Sequence, residues 1–91
     1  MSSRVTINKE VAVTAVYFNN SRELTSYPKR IEFEGREYTF RDGLRYLVQK
    51  GQRLIQIFDM TDGQAEYRLR FDNNEQLWTL IDISEAPRAL A

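Results

Sequence analysis

Two runs of apolar and polar alternation, each broken near its middle by a turn dipeptide, constrain this chain more than any other feature. In IEFEGREYTF, residues 31–40, Ile31 and Phe33 flank Glu32, Tyr38 and Phe40 flank Thr39, and Glu34 and Gly35 lie between. In LIQIFDMTDGQAEYRLRF, residues 54–71, the break is Asp62 and Gly63. A period of two sends successive side chains to opposite faces of a sheet, and glycine supplies the positive φ that a tight hairpin loop demands. Both runs therefore read as β-hairpins. A two-residue loop in the first sets Ile31 opposite Tyr38 on one face. On the other face Glu32 meets Glu37, a like-charge pair that wants Arg30, Arg36 or Arg41 beside it. In the second, pairing Met60 with Ala65 brings Phe58 opposite Tyr67, Leu54 opposite Phe71 and Asp59 opposite Glu66. Leu54, Phe58, Met60, Tyr67, Leu69 and Phe71 then form a core face. Ile55, Ile57, Asp59, Glu66, Arg68 and Arg70 form a mixed face behind it.

The flanking segments extend the sheet. Residues 11–18, VAVTAVYF, are rich in β-branched side chains, and both faces are apolar or small, which predicts a strand buried on two sides and closed by Asn19, Asn20 and Ser21. A polar loop through Thr25 and Ser26 follows. Asp72, Asn73 and Asn74 turn the chain into a last strand, residues 77–84, with Trp78 and Leu80 on one side and Leu77, Thr79, Ile81 and Ile83 on the other. Residues 42–51 read two ways. Asp42 suits an N-cap, Leu44, Leu47 and Val48 have helical spacing, and Gly51 suits a C-terminal cap. Leu44, Tyr46 and Val48 also alternate, with Lys50 and Gly51 as a turn between strands. The helix is slightly preferred, because it would cover the apolar patch of Ile55, Ile57, Ile81 and Ile83. The expected fold is mainly β: a five- or six-stranded antiparallel meander, curled or barrel-like, with one short helix at about 43–50 in the first of these readings.

Ninety-one residues support one hydrophobic core, so residues 1–91 are expected to form a single domain, with 1–4 and 85–91 as tails. Lys plus Arg and Asp plus Glu both number 13, so no net field steers the chain towards nucleic acid or an anionic membrane. The halves differ: residues 1–50 carry nine basic and six acidic side chains, residues 51–91 four and seven. No stretch approaches the length of a signal peptide core or a membrane span, and a cytoplasmic protein is expected.

The absence of cysteine and histidine removes disulfides, the thiol nucleophile, the commonest general base and most transition-metal ligand sets. Asp59 and Glu66 are the one carboxylate pair that suits acid–base work, set against a plain solvated hairpin end. Asp59, Asp62, Gly63 and Glu66 lack the spacing of a calcium loop, and the four isolated glycines form no phosphate-binding loop. Neither an enzyme nor a metal or cofactor site is expected. Arg68 and Arg70 project from one strand beside Leu77 and Thr79, but Tyr67, Phe71 and Trp78, which would stack bases, fall on the core side.

Residues 27–40, with Pro28, Phe33, Gly35, Arg36 and Tyr38, resemble the hairpin that opens a group of small bacterial β proteins; Tyr67 with Leu69, and Trp78 with Leu80, match its later strands. The resemblance covers much of residues 27–81, and residues 42–60 and the first strand depart from it. It implies a small β domain of no assigned activity. Similar modules are appended to polymerase-like DNA-repair proteins, which implies a nucleic-acid accessory role as one alternative, using Arg68 and Arg70 with Arg41, Arg45 and Lys50. The residues themselves favour an interaction domain for a protein partner or a homodimer, through Ile55, Ile57, Arg68, Arg70 and Ile81, because a half-apolar sheet face with arginines suits such a contact.

Overall fold

A computed structural model describes residues 4–19 and 25–85, apart from the side chains of 18, 19 and 25. Seven antiparallel strands form one sheet: β1 (Arg4–Asn19), β2 (Thr25–Phe33), β3 (Arg36–Thr39), β4 (Asp42–Lys50), β5 (Arg53–Thr61), β6 (Glu66–Asp72) and β7 (Leu77–Ser84). Their order is β3-β2-β1-β7-β6-β5-β4. The mainly β, antiparallel expectation holds, whereas the strand number, the helix and the simple meander do not. No described residue is helical, and no helix among them is long and apolar enough to cross a membrane.

β1 joins the two halves. Its first part pairs with β7, from Arg4 opposite Ser84 to Val11 opposite Trp78; its second pairs with β2, from Ala12 opposite Glu32 to Asn19 opposite Thr25. Bulges near Asn8, which has φ 53°, and near Ala15 bend the strand from one half to the other. The polar stretch 4–10 therefore belongs to the sheet, and Arg4, expected in a tail, is its first rung. The remaining tail residues, 1–3 and 86–91, lie outside the described residues, as do Asn20 and Ser21 of the expected turn. Thr25 and Ser26 open β2 rather than a loop. Val11 is buried, but Val16 is 51% exposed, so β1 is covered on one side only.

β3 and β4 lie at opposite ends of the strand order, yet only Phe40 and Arg41 separate them in sequence. The sheet must curl back on itself to allow this. The Phe40 amide donates to the Lys29 carbonyl at 2.7 Å, and the Arg41 amide to the Thr61 carbonyl at 2.8 Å, so adjacent residues finish one ladder and begin another. Phe40, fully buried, plugs the junction against Tyr67, with ring centroids 5.1 Å apart. β3 and β4 form no ladder with each other, which leaves the sheet curled but open. Ile31, Phe33, Phe58, Met60, Leu69 and Leu80 fill the concave side.

The first hairpin follows its sequence. Ile31 faces Tyr38, Glu32 faces Glu37, and Glu34 and Gly35 have φ of 52° and 75°, the doubly positive loop that matches strand twist. Arg30 Nε lies 3.6 Å from Glu37 and relieves the paired glutamates. The second hairpin keeps its faces but shifts its rungs by two residues: Met60 faces Tyr67 rather than Ala65, and Asp59 faces Arg68 rather than Glu66. A longer loop, residues 62–65, replaces the two-residue turn. Asp62 Oδ1 accepts the Gln64 and Ala65 amides, each at 2.9 Å, and Thr61 Oγ1 donates to the Ala65 carbonyl at 2.9 Å. These side-chain caps stabilise the longer turn over the tight one.

Tyr67 Oη donates to Asp62 Oδ2 at 3.1 Å. Burial and this acceptor push the Tyr67 phenol up to about 12 from 10.0. Burial opposes the shift at Asp62, but the amides and the phenol hold its carboxyl below the ordinary value. A raised phenol pKa stabilises the fold fully below the unfolded value and loses that contribution as pH climbs through the folded one. Alkaline titration should therefore show stability falling between pH 10 and about 12, with a phenolate absorbance step near pH 12 that disappears in Tyr67→Phe.

Residues 42–50 are strand, not helix. All nine pair with β5, from Asp42 opposite Thr61 to Lys50 opposite Arg53, and Gly51 and Gln52 make the turn. The alternation of Leu44, Tyr46 and Val48 prevails because β5 offers a partner along its whole length. Gly43 shows how close that partner lies. A Cβ there would sit 2.3 Å from Met60 Sδ and 2.8 Å from the Asp59 carbonyl oxygen. Met60 is buried, and the Asp59 oxygen belongs to the backbone of the paired strand. Gly43→Ala should cost about 1–3 kcal/mol, seen as a lower urea midpoint at unchanged slope.

Candidate interaction face

The convex side of β4 to β7 is built from cross-strand rows. One row runs Val48, Ile55, Asp72, Leu77; the next Tyr46, Ile57, Arg70, Thr79; the next Leu44, Asp59, Arg68, Asp82; the last Asp42, Thr61, Glu66, Ser84. Four of the five expected contact residues, Ile55, Ile57, Arg68 and Arg70, thus share one face. Ile81 is the extra residue of a β-bulge between the second and third rows. That bulge corrects the reading of β7: Ile83 turns inward opposite Tyr67 and packs on the core, while Asp82 takes the outer position opposite Arg68. The polar Asp82 inside an otherwise apolar run was the sequence signal for it.

Every row of the face holds a polar residue, and the apolar ones gather on β4 and β5. At one end Arg68 clamps Asp59 with two hydrogen bonds, Nε to Oδ1 at 2.7 Å and Nη2 to Oδ2 at 3.0 Å, and Tyr46 Oη donates to Asp59 Oδ2 at 3.1 Å. The hydrogen bond to Asp59 raises the Arg68 pKa further, so the guanidinium stays charged. Arg4 Nε lies 3.9 Å from Asp82. At the other end Ile55 and Ile57 are half-buried, flanked by exposed Tyr46, Val48 and Leu77. Leu44, Tyr46 and Val48 join the site only because 42–50 is a strand, and sequence reasoning missed them by preferring a helix there. That helix would have covered the patch; no described residue is helical, and Leu44, Tyr46 and Val48 are exposed.

A half-open cleft of about 330 Å³ lies beside the polar end, lined by Asp42, Gly43, Leu44, Tyr46, Asp59, Thr61 and Glu66. The carboxylates considered for acid–base work both border it, but they do not face each other across a rung. Asp59 accepts from Arg68 and Tyr46 there and serves as the anchor of both. Asp62, the other acid considered for a cation, caps its own turn. A second opening of about 330 Å³ lies between the curled halves, bordered by Val13, Val16, Phe58, Phe71 and Trp78.

The basic residues do not gather into one stripe. Arg68 is committed to Asp59, and Arg45 lies opposite Phe58, with its Nε donating to Gln56 Oε1 at 2.8 Å. Tyr67 is buried, and Phe71 and Trp78 pack on the core with ring centroids 4.8 Å apart. Compared with protein-family models, with curated proteins and with solved structures, the chain matches none.

Proposed function

We propose that this chain is a small non-catalytic interaction domain, working in the bacterial cytoplasm, that contacts a protein partner or a second copy of itself through Ile55, Ile57, Arg68, Arg70 and Ile81. The observation that carries this reading is the outer side of β4 and β5, where half-buried isoleucines continue into exposed Leu44, Tyr46 and Val48. A contiguous apolar strip rimmed by ordered charge is the composition of a contact surface. Arg68, held by Asp59, supplies rigid polar rim, whereas Arg70 is exposed.

A nucleic-acid accessory role is the alternative, since Arg70, Arg41 and Lys50 are all exposed. The dispersal of the basic residues and the inward aromatics favour protein contact over it. Amide-resolved NMR of the labelled chain, with rising protein concentration in one series and a mixed single-stranded oligonucleotide at low and moderate salt in another, separates the two. Protein contact predicts concentration-dependent shifts at Ile55, Ile57 and their neighbours. Salt-sensitive shifts around Arg70 with the oligonucleotide would transfer the site to nucleic acid, because phosphate contacts weaken steeply with salt.

A further inference from the structure

The two free edges of the sheet are guarded differently. β3 is four residues long and carries Arg36 and Glu37. β4 is nine residues long, has no proline, and exposes Leu44, Tyr46, Leu47 and Val48 by 61, 44, 55 and 40%. An exposed edge presents unpaired backbone N–H and C=O groups to any other strand, and proteins that leave an edge unused shorten, charge or bulge it. β4 is neither short nor bulged; the one charge in its centre, Arg45, turns to the concave side and donates to Gln56, which leaves Leu44, Tyr46 and Val48 on the outer side. We propose that β4 pairs antiparallel with β4 of a second copy, about a two-fold axis at Tyr46, merging the two sheets into one. The inference rests on the outer face being a contact surface and names a second copy as its occupant.

The sequence of β4 is complementary to itself about that axis. A two-fold pairing that keeps both outer faces on one side sets outer residues opposite outer residues, so the register moves only in steps that preserve the face. Centred on Tyr46, it brings Asp42 opposite Lys50, Leu44 opposite Val48, and Tyr46 opposite its own copy. Symmetry makes each of the first two pairs twice. The neighbouring registers place Asp42 opposite Val48 or Leu44 opposite Lys50, and each loses both charge pairs. Directly opposed unlike charges and apolar pairs are the contacts that stabilise an antiparallel ladder. The merged face sets Leu44, Tyr46 and Val48 of both copies side by side and extends the strip through Ile57 and Ile55 of each.

Charge exchange on the full chain tests the register. D42K puts lysine opposite Lys50, and K50D puts aspartate opposite Asp42, each twice per dimer. Either variant should raise the dimer dissociation constant about tenfold, measured by sedimentation equilibrium. An equimolar mixture of D42K and K50D restores opposite charges at every position and should recover wild-type association. Both residues are exposed, and circular dichroism confirms that the variants fold. A wild-type dimer indifferent to both substitutions would overturn pairing through β4 and leave the outer face to another mode of contact. A wild-type chain that stays monomeric from micromolar to millimolar concentration would also overturn it; the oligonucleotide series would then judge the nucleic-acid reading of the face separately.

Discussion

Truncation of Phe58 to alanine should lower the unfolding free energy by about 3–5 kcal/mol. Phe58 is 1% exposed, sits on the β5 rung opposite Leu69, and touches both halves of the curled sheet. Its ring meets Tyr27 of β2 edge-on, with centroids 5.7 Å apart, and Trp78 of β7 at 5.2 Å. Alanine there removes the contact that holds β2 over β5 and leaves a cavity lined by rings that cannot collapse into it. A domain of this size has only about 5–15 kcal/mol in hand, so the loss is a large share of its stability. Urea denaturation measures the loss, and near-ultraviolet circular dichroism should show Trp78 losing its fixed environment. A loss below about 1 kcal/mol would mean that the two halves do not depend on this ring.

Arg68→Ala should cost about 2–3 kcal/mol, for a different reason. Asp59 is 7% exposed, and the guanidinium is its charge partner. Removing the arginine takes away both charge-assisted hydrogen bonds to a buried carboxylate. The arginine side chain is 31% exposed, which places the cost below that of a fully buried pair. Adding Asp59→Ala should recover part of the loss, because the buried carboxylate goes with it. Urea midpoints of the two single variants and the double give the coupling directly. A double variant as unstable as the sum of the singles would show that the pair is not a unit.

Local chemistry decided how much of the fold was legible. Glu34 and Gly35 admit one tight loop, so the first hairpin was readable to the rung. Asp62 and Gly63 suggested a tight loop as well, but Thr61 and Asp62 cap a longer one, and the register slipped by two. A slip of two preserves the face, which is why Ile55, Ile57, Arg68 and Arg70 were still correctly grouped. The stretch 4–10 has little alternation and is a strand because β7 offers it a partner. Residues 42–50 carry both periodicities, and only tertiary pairing with β5 decides between them. The bulge at Ile81 inverted the faces beyond it, moving Ile83 to the core, and only the position of Asp82 hinted at it.

Sedimentation velocity of the wild-type chain against Ile57→Lys over a wide concentration range shows whether the outer side of β4 and β5 is a contact surface. Ile57 lies between Tyr46 and Arg70 in the middle of the face, half-buried and outside the concave core, so lysine there should change the surface with little effect on the urea midpoint. Self-association through that face gives a wild-type sedimentation coefficient that rises with concentration and an Ile57→Lys coefficient that stays at the monomer value. Association of both proteins to the same degree would contradict it.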